Sequence, residues 1–307
     1  MTVIDLHQHL WPAPLVEALR DRTHAPYLRG WTLTTAGEPA TELRPADHDV
    51  ARRIALDEAD GIELACVSLS APLGIEDLPP DEAQPLLDAW HAGAVLLPGH
   101  FAPWASVGSL EPDLDGVRTM LEGPFVGLQL PATSLADPDG WLAAGEVLRI
   151  AEETDRAVLV HPGPSPASSG TRPDWWAPVV DYTAQLQAAW WAWHALDGRA
   201  HFPRLRIVFV AGAGLAPLQH ERLAARGGRT TTVDPDVYVD TSSYGPQALD
   251  GLIRALGLDG LVLGSDRPYA EPLAHLLDDA ATRLVRVDNP RRALGARLGV
   301  PTLEGVA

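Results

Sequence analysis

Short apolar runs alternate with longer segments of helical periodicity along most of the chain. Continuous apolar runs joined by helical segments are typical of parallel strands that are buried on both faces. The pattern predicts eight such strands, at residues 3–6, 63–70, 95–102, 125–130, 157–161, 206–210, 237–241 and 261–264. The intervening segments predict helices at 15–22, 47–59, 81–94, 112–121, 139–153, 173–196, 215–225, 246–256 and 272–286, with Asp47 as the N-cap of the second.

Eight strand–helix units in a chain of 307 residues predict an α/β fold, a (β/α)8 TIM barrel that forms one domain over residues 1–307. Two β-prone runs flank the turn at residues 36–39, so residues 27–44 are predicted to form a β-hairpin insertion after strand one. An open doubly wound sheet is the alternative. No glycine-rich phosphate loop follows the first strand, which favours the barrel.

The first predicted strand carries two histidines with one residue between them. In an extended segment side chains alternate between faces, so His7 and His9 point the same way and Gln8 points the other. Two neighbouring imidazoles form half of a metal site. The alternative interpretation is two unrelated polar residues at the point where a strand leaves the core.

Polar residues recur where other predicted strands end, and the carboxyl ends of barrel strands share one mouth. His161 ends strand five, and Asp266 follows strand eight. Together with His7 and His9 they match the nitrogen and oxygen ligands of zinc or a similar divalent ion. At the same mouth we expect His100 after strand three and Gln129 on strand four to contact substrate, while Asp240 ends strand seven.

Composition restricts the possible partners and chemistries. The formal net charge of −18 argues against nucleic acid or an anionic membrane as a partner. All 23 basic residues are arginine, which excludes a Schiff-base lysine or a carboxylated lysine between two metal ions. Cys66 is the single cysteine, so no disulfide forms within the chain. With no membrane-length apolar stretch and no signal-peptide pattern, a cytoplasmic protein is predicted.

The sequence resembles the amidohydrolase superfamily, in the family 2 branch typified by aminocarboxymuconate-semialdehyde decarboxylase. The resemblance rests on the motifs at residues 4–9, 60–63, 160–162, 202–207, 264–268 and 288–290. It implies one divalent metal ion bound by His7, His9, His161 and Asp266. Zinc is favoured, with manganese or iron as alternatives. The insertion at 27–44 also matches the family.

One position departs from the family pattern. Relatives carry a histidine at the end of strand six, where this chain has Ala211 in the run Ala211–Pro217. In relatives that histidine helps to activate a metal-bound water or to orient the substrate. His220 and His100 are the candidate replacements.

Three further residues are candidates for contact with the substrate. Arg267 either grips a substrate carboxylate or pairs with a nearby acid. Trp175 and Trp176 follow a Pro/Gly/Ser-rich loop at 162–173 that could act as a lid, and they either roof the mouth or belong to the core or an interface. The long Trp-rich helix carries surplus apolar surface, and relatives pair as dimers, so we expect a homodimer.

The favoured function is a metal-dependent hydrolase of an amide, lactone or ester in a small organic substrate, with Asp266 and His161 as catalytic residues. The alternative is a metal-dependent non-oxidative decarboxylase of a small aromatic carboxylate, in which Asp266 protonates the carbon as carbon dioxide leaves. A second alternative is a barrel that has lost turnover, because Ala211 replaces the usual histidine.

Overall fold

Eight parallel strands succeed one another around a barrel in the computed structural model, which describes residues 2–167, 172–228, 233–272 and 277–295. Each strand is followed by helical structure that packs on the outside. The barrel strands are Ile4–Gln8, Leu64–Val67, Phe101–Pro103 continued by Ala105–Ser106, Gly127–Pro131, Ala157–His161, Ile207–Phe209, Val237–Asp240 and Leu261–Val262.

Backbone hydrogen bonds close the ring. The amide of Leu6 on the first strand donates to the carbonyl of Leu263, which follows the eighth, at 2.9 Å. A parallel bridge between Gln8 and Arg267 extends this seam toward the mouth. The third strand is interrupted only at Trp104, whose amide still bonds to the second strand at the carbonyl of Val67. The predicted TIM barrel is confirmed, while one domain over all 307 residues stays a prediction.

Helices cover the outer face of the strands, as the helical periodicity predicts. The α-helices are Ala13–Asp21, Val50–Ala59, Pro80–Ala94, Leu114–Glu122, Pro138–Ala143, Gly145–Glu153, Tyr182–Leu196, Gly198–His201, His220–Ala225, Pro246–Leu256, Asp279–Arg283 and Asn289–Leu294. Short 3-10 helices occupy Pro45–His48, Ala71–Leu73, Ala132–Leu135 and Leu258–Gly260, and π-helical turns occupy Ala177–Asp181 and Leu284–Asp288. The nine-residue segment Ala211–Gln219 forms 3-10 turns in which φ is positive from Ala211 to Leu215. No helix among the described residues is both long and apolar enough to cross a membrane.

The insertion after the first strand is a three-stranded antiparallel sheet. The predicted pair forms between Thr32–Thr34 and Thr41–Glu42, and Tyr27–Arg29 adds a third strand on the other side. The tip of the insertion reaches the loop after the fifth barrel strand. A Cβ atom on Gly37 would lie 1.9 Å from the carbonyl oxygen of Ser165, so this close approach requires glycine.

The predicted starts of the third strand and of the second helix are wrong. The apolar residues from Val95 continue the end of a helix as turns, with Leu96 81% exposed, so the third strand begins only at Phe101. The second long helix begins after Asp49 rather than Asp47, because the Asp49 side chain accepts the amide of Arg52. The predicted helix 272–286 and the predicted lid 162–173 lie partly outside the described residues.

A large indole fills space beside the fourth strand. Trp104 is fully buried, and its ring nitrogen donates to the carbonyl of Leu6 at 3.0 Å. A Cβ atom on Gly127 would lie 2.3 Å from a Trp104 ring carbon and 2.3 Å from the carbonyl oxygen of Ala157. Only glycine therefore lets the fourth strand pass between this ring and the fifth strand.

We expect Gly127→Ala to lower the free energy of unfolding by about 1–3 kcal/mol, because the added methyl group overpacks a site without free space. Gly145→Ala is the matched control, since its Cβ would meet only a Phe202 ring atom, at 3.9 Å. Denaturant unfolding of both variants measures the difference. Equal stability of the two variants would contradict this account of the packing.

Candidate metal centre

Four side chains from three distant parts of the chain meet at the mouth of the barrel. His7 and His9 lie at the end of the first strand, His161 ends the fifth, and Asp266 follows the eighth. One ligand atom of each lies within 4.8 Å of all the others. The three imidazoles are buried, whereas the Asp266 side chain is 22% exposed.

Each imidazole is oriented by an oxygen atom at its Nδ1. The distances are 2.7 Å from His7 to Asp240 Oδ2, 3.1 Å from His9 to the Ser68 carbonyl and 2.9 Å from His161 to the Pro162 carbonyl. Such partners favour the tautomer with the proton on Nδ1, which leaves the Nε2 lone pair free for a metal. All three Nε2 atoms therefore face one another.

The spacing of these nitrogens fits a bound cation. His9 Nε2 lies 3.2 Å from His7 Nε2 and 3.1 Å from His161 Nε2. Two nitrogens that each lie about 2.0–2.1 Å from one tetrahedral zinc ion are separated by roughly 3.3 Å. Asp266 Oδ1 completes the set at 3.3 Å from His9 Nε2 and 3.5 Å from His7 Nε2. Facing lone pairs at this spacing repel each other unless a positive charge lies between them.

The protonation states suit metal binding at two of the three histidines. Burial lowers the pKa of His9, and burial together with the neighbouring His9 and His7 holds the pKa of His161 well below its usual range. Both rings are therefore neutral at pH 7. Burial also acts on His7, but the Asp240 hydrogen bond and the Asp266 charge outweigh it and raise the pKa of His7.

Hydrogen bonds link the centre to Ala211, where the resemblance predicts a histidine. Asp240 Oδ1 accepts the Ser242 hydroxyl at 2.8 Å, and Ser242 Oγ accepts the amide of Ala211 at 3.2 Å. Ala211 also begins a run of left-handed backbone that continues to Leu215, with φ of +45° at Ala211. Ala211 is thus joined through Ser242 to Asp240, the carboxylate that orients His7.

Neither candidate replacement for that histidine lies near the four ligands. His220 begins a helix and packs its ring against Trp191 at 5.1 Å and His194 at 5.3 Å. His100 precedes the third strand instead of following it, and its Nε2 lies 3.0 Å from Asp57 Oδ2. The expectation that His100 faces the mouth is wrong, because the third strand begins later than its apolar run suggests.

Arg267 follows Asp266 but turns away from the mouth. Its guanidinium bonds to Asp57 Oδ1 at 2.7 Å, to Glu271 Oε2 at 2.8 Å and to Asp60. Of the two interpretations of this residue, the structure shows the pairing with acids. A group held by three carboxylates is not available to grip a substrate carboxylate.

The other candidate contacts are Gln129, Trp175 and Trp176, which differ in their local partners and exposure. Gln129, fully buried on the fourth strand, donates to Glu76 Oε1 at 2.9 Å. The Trp176 ring nitrogen donates to Asp181 Oδ1 at 3.2 Å, and Trp175 beside it is 56% exposed. The lid role of the two tryptophans stays a prediction, because residues 168–171 of the loop lie outside the described range.

Several residues around the centre have contacts that the sequence does not predict. The ring of Tyr269 lies 5.6 Å from that of His9, and Asp240 orients His7. The position of Asp240 at the end of a predicted strand indicates that it lies at the mouth, but its contact with His7 is not predicted. Tyr269 and Glu76 lie on loops, where one sequence offers no periodicity that marks them, and Asp57 lies on the helix Val50–Ala59, whose apolar periodicity does not predict a buried acid.

Solved structures share this architecture over nearly the whole chain. An amidohydrolase II superimposes with a TM-score of 0.74 at 19% identity, covering 95% of this chain and 99% of that one. The chain has the amidohydrolase fold. No protein-family model matches the sequence, and no curated protein matches it.

Two other amidohydrolase-fold neighbours are named for a reaction. The 5-carboxyvanillate decarboxylase of Sphingomonas paucimobilis has a TM-score of 0.71 at 18% identity, over 95% of this chain and 98% of that one. A dihydroxybenzoic acid decarboxylase from Polaromonas sp. JS666, with bound manganese and the inhibitor 2-nitroresorcinol, has a TM-score of 0.66 at 16% identity, over 95% and 96%. Both are decarboxylases, so these comparisons contradict the favoured hydrolase function.

A buried carboxyl group beside the mouth supplies a prediction about pH. Glu76 is fully buried and accepts the Ser106 hydroxyl at 2.8 Å besides the Gln129 amide. Burial raises the pKa of Glu76 from 4.5 to about 7. Between these values the folded protein holds a proton that the unfolded chain releases, so this group's contribution to stability falls as pH rises.

We expect Glu76→Gln to remove roughly 3 kcal/mol of this pH dependence between pH 4.5 and 7, because the amide is neutral throughout. Denaturant midpoints at pH 5, 6, 7 and 8 in the presence of a chelator measure the slope. Glu153→Gln, at an exposed ion pair with Arg118, should keep the wild-type slope. If the slope of Glu76→Gln also matches wild type, the carboxyl is not the titrating group.

Proposed function

We propose that this protein is a metal-dependent, non-oxidative decarboxylase of a small aromatic carboxylate. The observation that carries the proposal is the convergence of three Nε2 atoms and one carboxylate at the barrel mouth. The shared fold with 5-carboxyvanillate decarboxylase and dihydroxybenzoic acid decarboxylase supports the reaction class. The partner is therefore a small molecule.

His7, His9, His161 and Asp266 would hold one divalent ion. When bound, the ion supplies a positive charge that binds the substrate carboxylate and a neighbouring oxygen. The imidazole-rich set is compatible with zinc, and the manganese in the Polaromonas enzyme supports manganese as an equal candidate. Asp240, Ser68 and Pro162 fix the three rings, so little reorganisation accompanies binding.

Asp266 is the proposed proton donor. Of the four side chains it is the one with substantial exposure, at 22%, so it can both touch substrate and exchange its proton with solvent. The carbon–carbon bond to the carboxylate breaks, carbon dioxide leaves, and the electron pair stays on the ring carbon. A proton from the Asp266 carboxyl then forms the new carbon–hydrogen bond. His161 acts as a ligand and orients the site.

The alanine at residue 211 favours this reaction over one that needs an activated water. No water molecule is consumed when the carboxylate is replaced by a proton. We therefore expect the absence of a histidine at residue 211 to slow decarboxylation less than it slows hydrolysis. A barrel that binds metal but no longer turns over is the second candidate, since this same substitution supports it.

Two further features belong to the proposal. Trp175 and Val179, 56% and 57% exposed at the start of the long helix region, offer apolar surface for the predicted homodimer. The cytoplasmic location and the single domain are proposed from the sequence alone.

We expect protein purified without chelator to hold one divalent ion per chain, measured by elemental analysis after incubation with excess manganese or zinc. His161→Ala should lower the affinity for that ion about 100-fold or more, because it removes a ligand. His220→Ala is the control, since its ring packs on Trp191 away from the site. Wild-type protein that stays well below one ion per chain would refute the metal centre.

We expect metal-loaded protein to release carbon dioxide from at least one member of a panel of hydroxylated aromatic carboxylates. In deuterium oxide the product should carry one deuterium at the vacated ring carbon. Asp266→Asn should lower kcat at least about 100-fold, because the proton donor is lost. Metal content is measured in parallel, so that loss of the ion is separated from loss of the donor.

A metal-loaded protein that turns over none of these compounds would favour the inactive barrel. Hydrolysis of lactones or amides in the same assay would contradict the proposed reaction.

A further inference from the structure

Three of the four ligands of the metal centre lie on two segments, the end of the first strand and the residues after the eighth, that pair at an isolated bridge. Gln8, between His7 and His9, bridges Arg267, which follows Asp266. Backbone bonds flank the bridge, from the amide of Asp266 to the carbonyl of His7 at 2.8 Å and from the amide of His9 to the carbonyl of Arg267 at 2.6 Å. The relative position of three ligands therefore depends on this bridge.

One carboxylate oxygen binds both members of the bridge from the outer side of the barrel. Asp57 Oδ1 accepts the Gln8 side-chain amide at 2.9 Å and the Arg267 guanidinium at 2.7 Å. Its other oxygen lies 3.0 Å from His100 Nε2. Asp57 is fully buried, so neither oxygen exchanges these partners for water.

The helix that carries Asp57 adds a second contact to the same bridge. Arg53 lies one turn earlier on the same face of the helix Val50–Ala59. Its guanidinium donates to the carbonyl of His9 at 2.6 Å, to the carbonyl of Arg267 at 3.3 Å and to the Gln8 side chain. The helix thus holds the ligand-bearing segments through opposite charges.

The centre needs such support because its ligands do not assemble by themselves. The Nε2 atoms of His7 and His9 face each other at 3.2 Å, so two neutral rings that carry their protons on Nδ1 repel each other there unless a cation lies between them. Asp266 has a φ of +63°, a left-handed conformation that is uncommon for a residue other than glycine. Both features lie directly beside the Gln8–Arg267 bridge.

We propose that Asp57 is a positioning residue of the metal centre: its carboxylate locks the Gln8–Arg267 bridge so that His7, His9 and Asp266 meet at ligand distance. It does this from behind the strand, without contact to the ion or the substrate. The inference rests on the metal centre of the proposed function. The proposal gives Asp57 an effect on metal affinity, which an aspartate that only stabilises the fold through an ion pair would not have.

The test measures manganese affinity by competition with a chelating dye, beside the thermal midpoint of the metal-free protein. We expect Asp57→Ala to weaken manganese binding about 10-fold or more, as loss of groups that orient metal ligands does. Asp57→Asn keeps an oxygen that accepts from Gln8 and Arg267, so it should recover most of the affinity. An ordinary structural residue would change the midpoint without changing the affinity.

Asp234→Ala is the matched control. It removes an aspartate that pairs with Arg199 at 2.9 Å, and it lies before the seventh strand, at the opposite end of the barrel from the mouth. It should lower the thermal midpoint and leave manganese affinity at the wild-type value. If Asp57→Ala also lowers the thermal midpoint and leaves manganese affinity at the wild-type value, the proposal is wrong.

Two outcomes remain to be separated. If Asp57→Ala does not fold, Gln8→Met removes the bond from Gln8 to Asp57, together with those to Asp5 and Arg53, and leaves the bond from Arg267 to Asp57 in place. Unchanged manganese affinity in that variant would overturn the proposal. If wild-type protein binds no manganese or zinc, the metal centre itself fails. Binding by wild type with unaffected Asp57 and Gln8 variants refutes only the role of Asp57.

Discussion

The seam between the first and eighth strands is the constraint on which the site depends. It brings together residues about 260 positions apart, as the bond from the Ser265 amide to Asp5 Oδ1 shows. Burial of apolar strands on both faces drives closure of the barrel, and this driving force does not determine which reaction the site performs. Closure brings the polar groups at the seam together. Side chains that alternate along each strand then face either the mouth or the surrounding helices. The seam residues His7, His9 and Asp266 therefore direct metal ligands toward the mouth, while their neighbours Gln8 and Arg267 bond to charged groups on the outer side.

The parts of the site that the sequence predicts are those that follow from periodicity. Strand parity places His7 and His9 together and turns Gln8 away, and strand ends bring His161 and Asp266 to the same mouth. Arg267 shows the limit of this reasoning. It adjoins Asp266, yet its charge finds Asp57 and Glu271 on the outer side. Which way a long side chain turns after a strand end depends on partners that are distant in sequence, and no periodicity encodes them.

His100 fails for a different reason. Its neighbours Val95 to Leu97 are apolar enough to read as a strand, but they continue the preceding helix as turns, and the strand begins at Phe101. A shift of a few residues moves a side chain from one end of the barrel to the other. Element boundaries are set by tertiary packing more than by local propensity, so residues near them are the least predictable members of a site.

The charges around the centre explain why a metal ion is central to the proposed reaction. The two guanidinium groups that contact the ligand-bearing segments, those of Arg53 and Arg267, bond to groups behind the strand. On the mouth side, Asp240 and Asp266 face the imidazoles. A carboxylate substrate that approaches these acids is repelled unless a cation lies among them. Because both of these guanidinium groups lie behind the strand, a divalent ion held by the four ligands would supply the charge that makes this mouth attractive to a carboxylate.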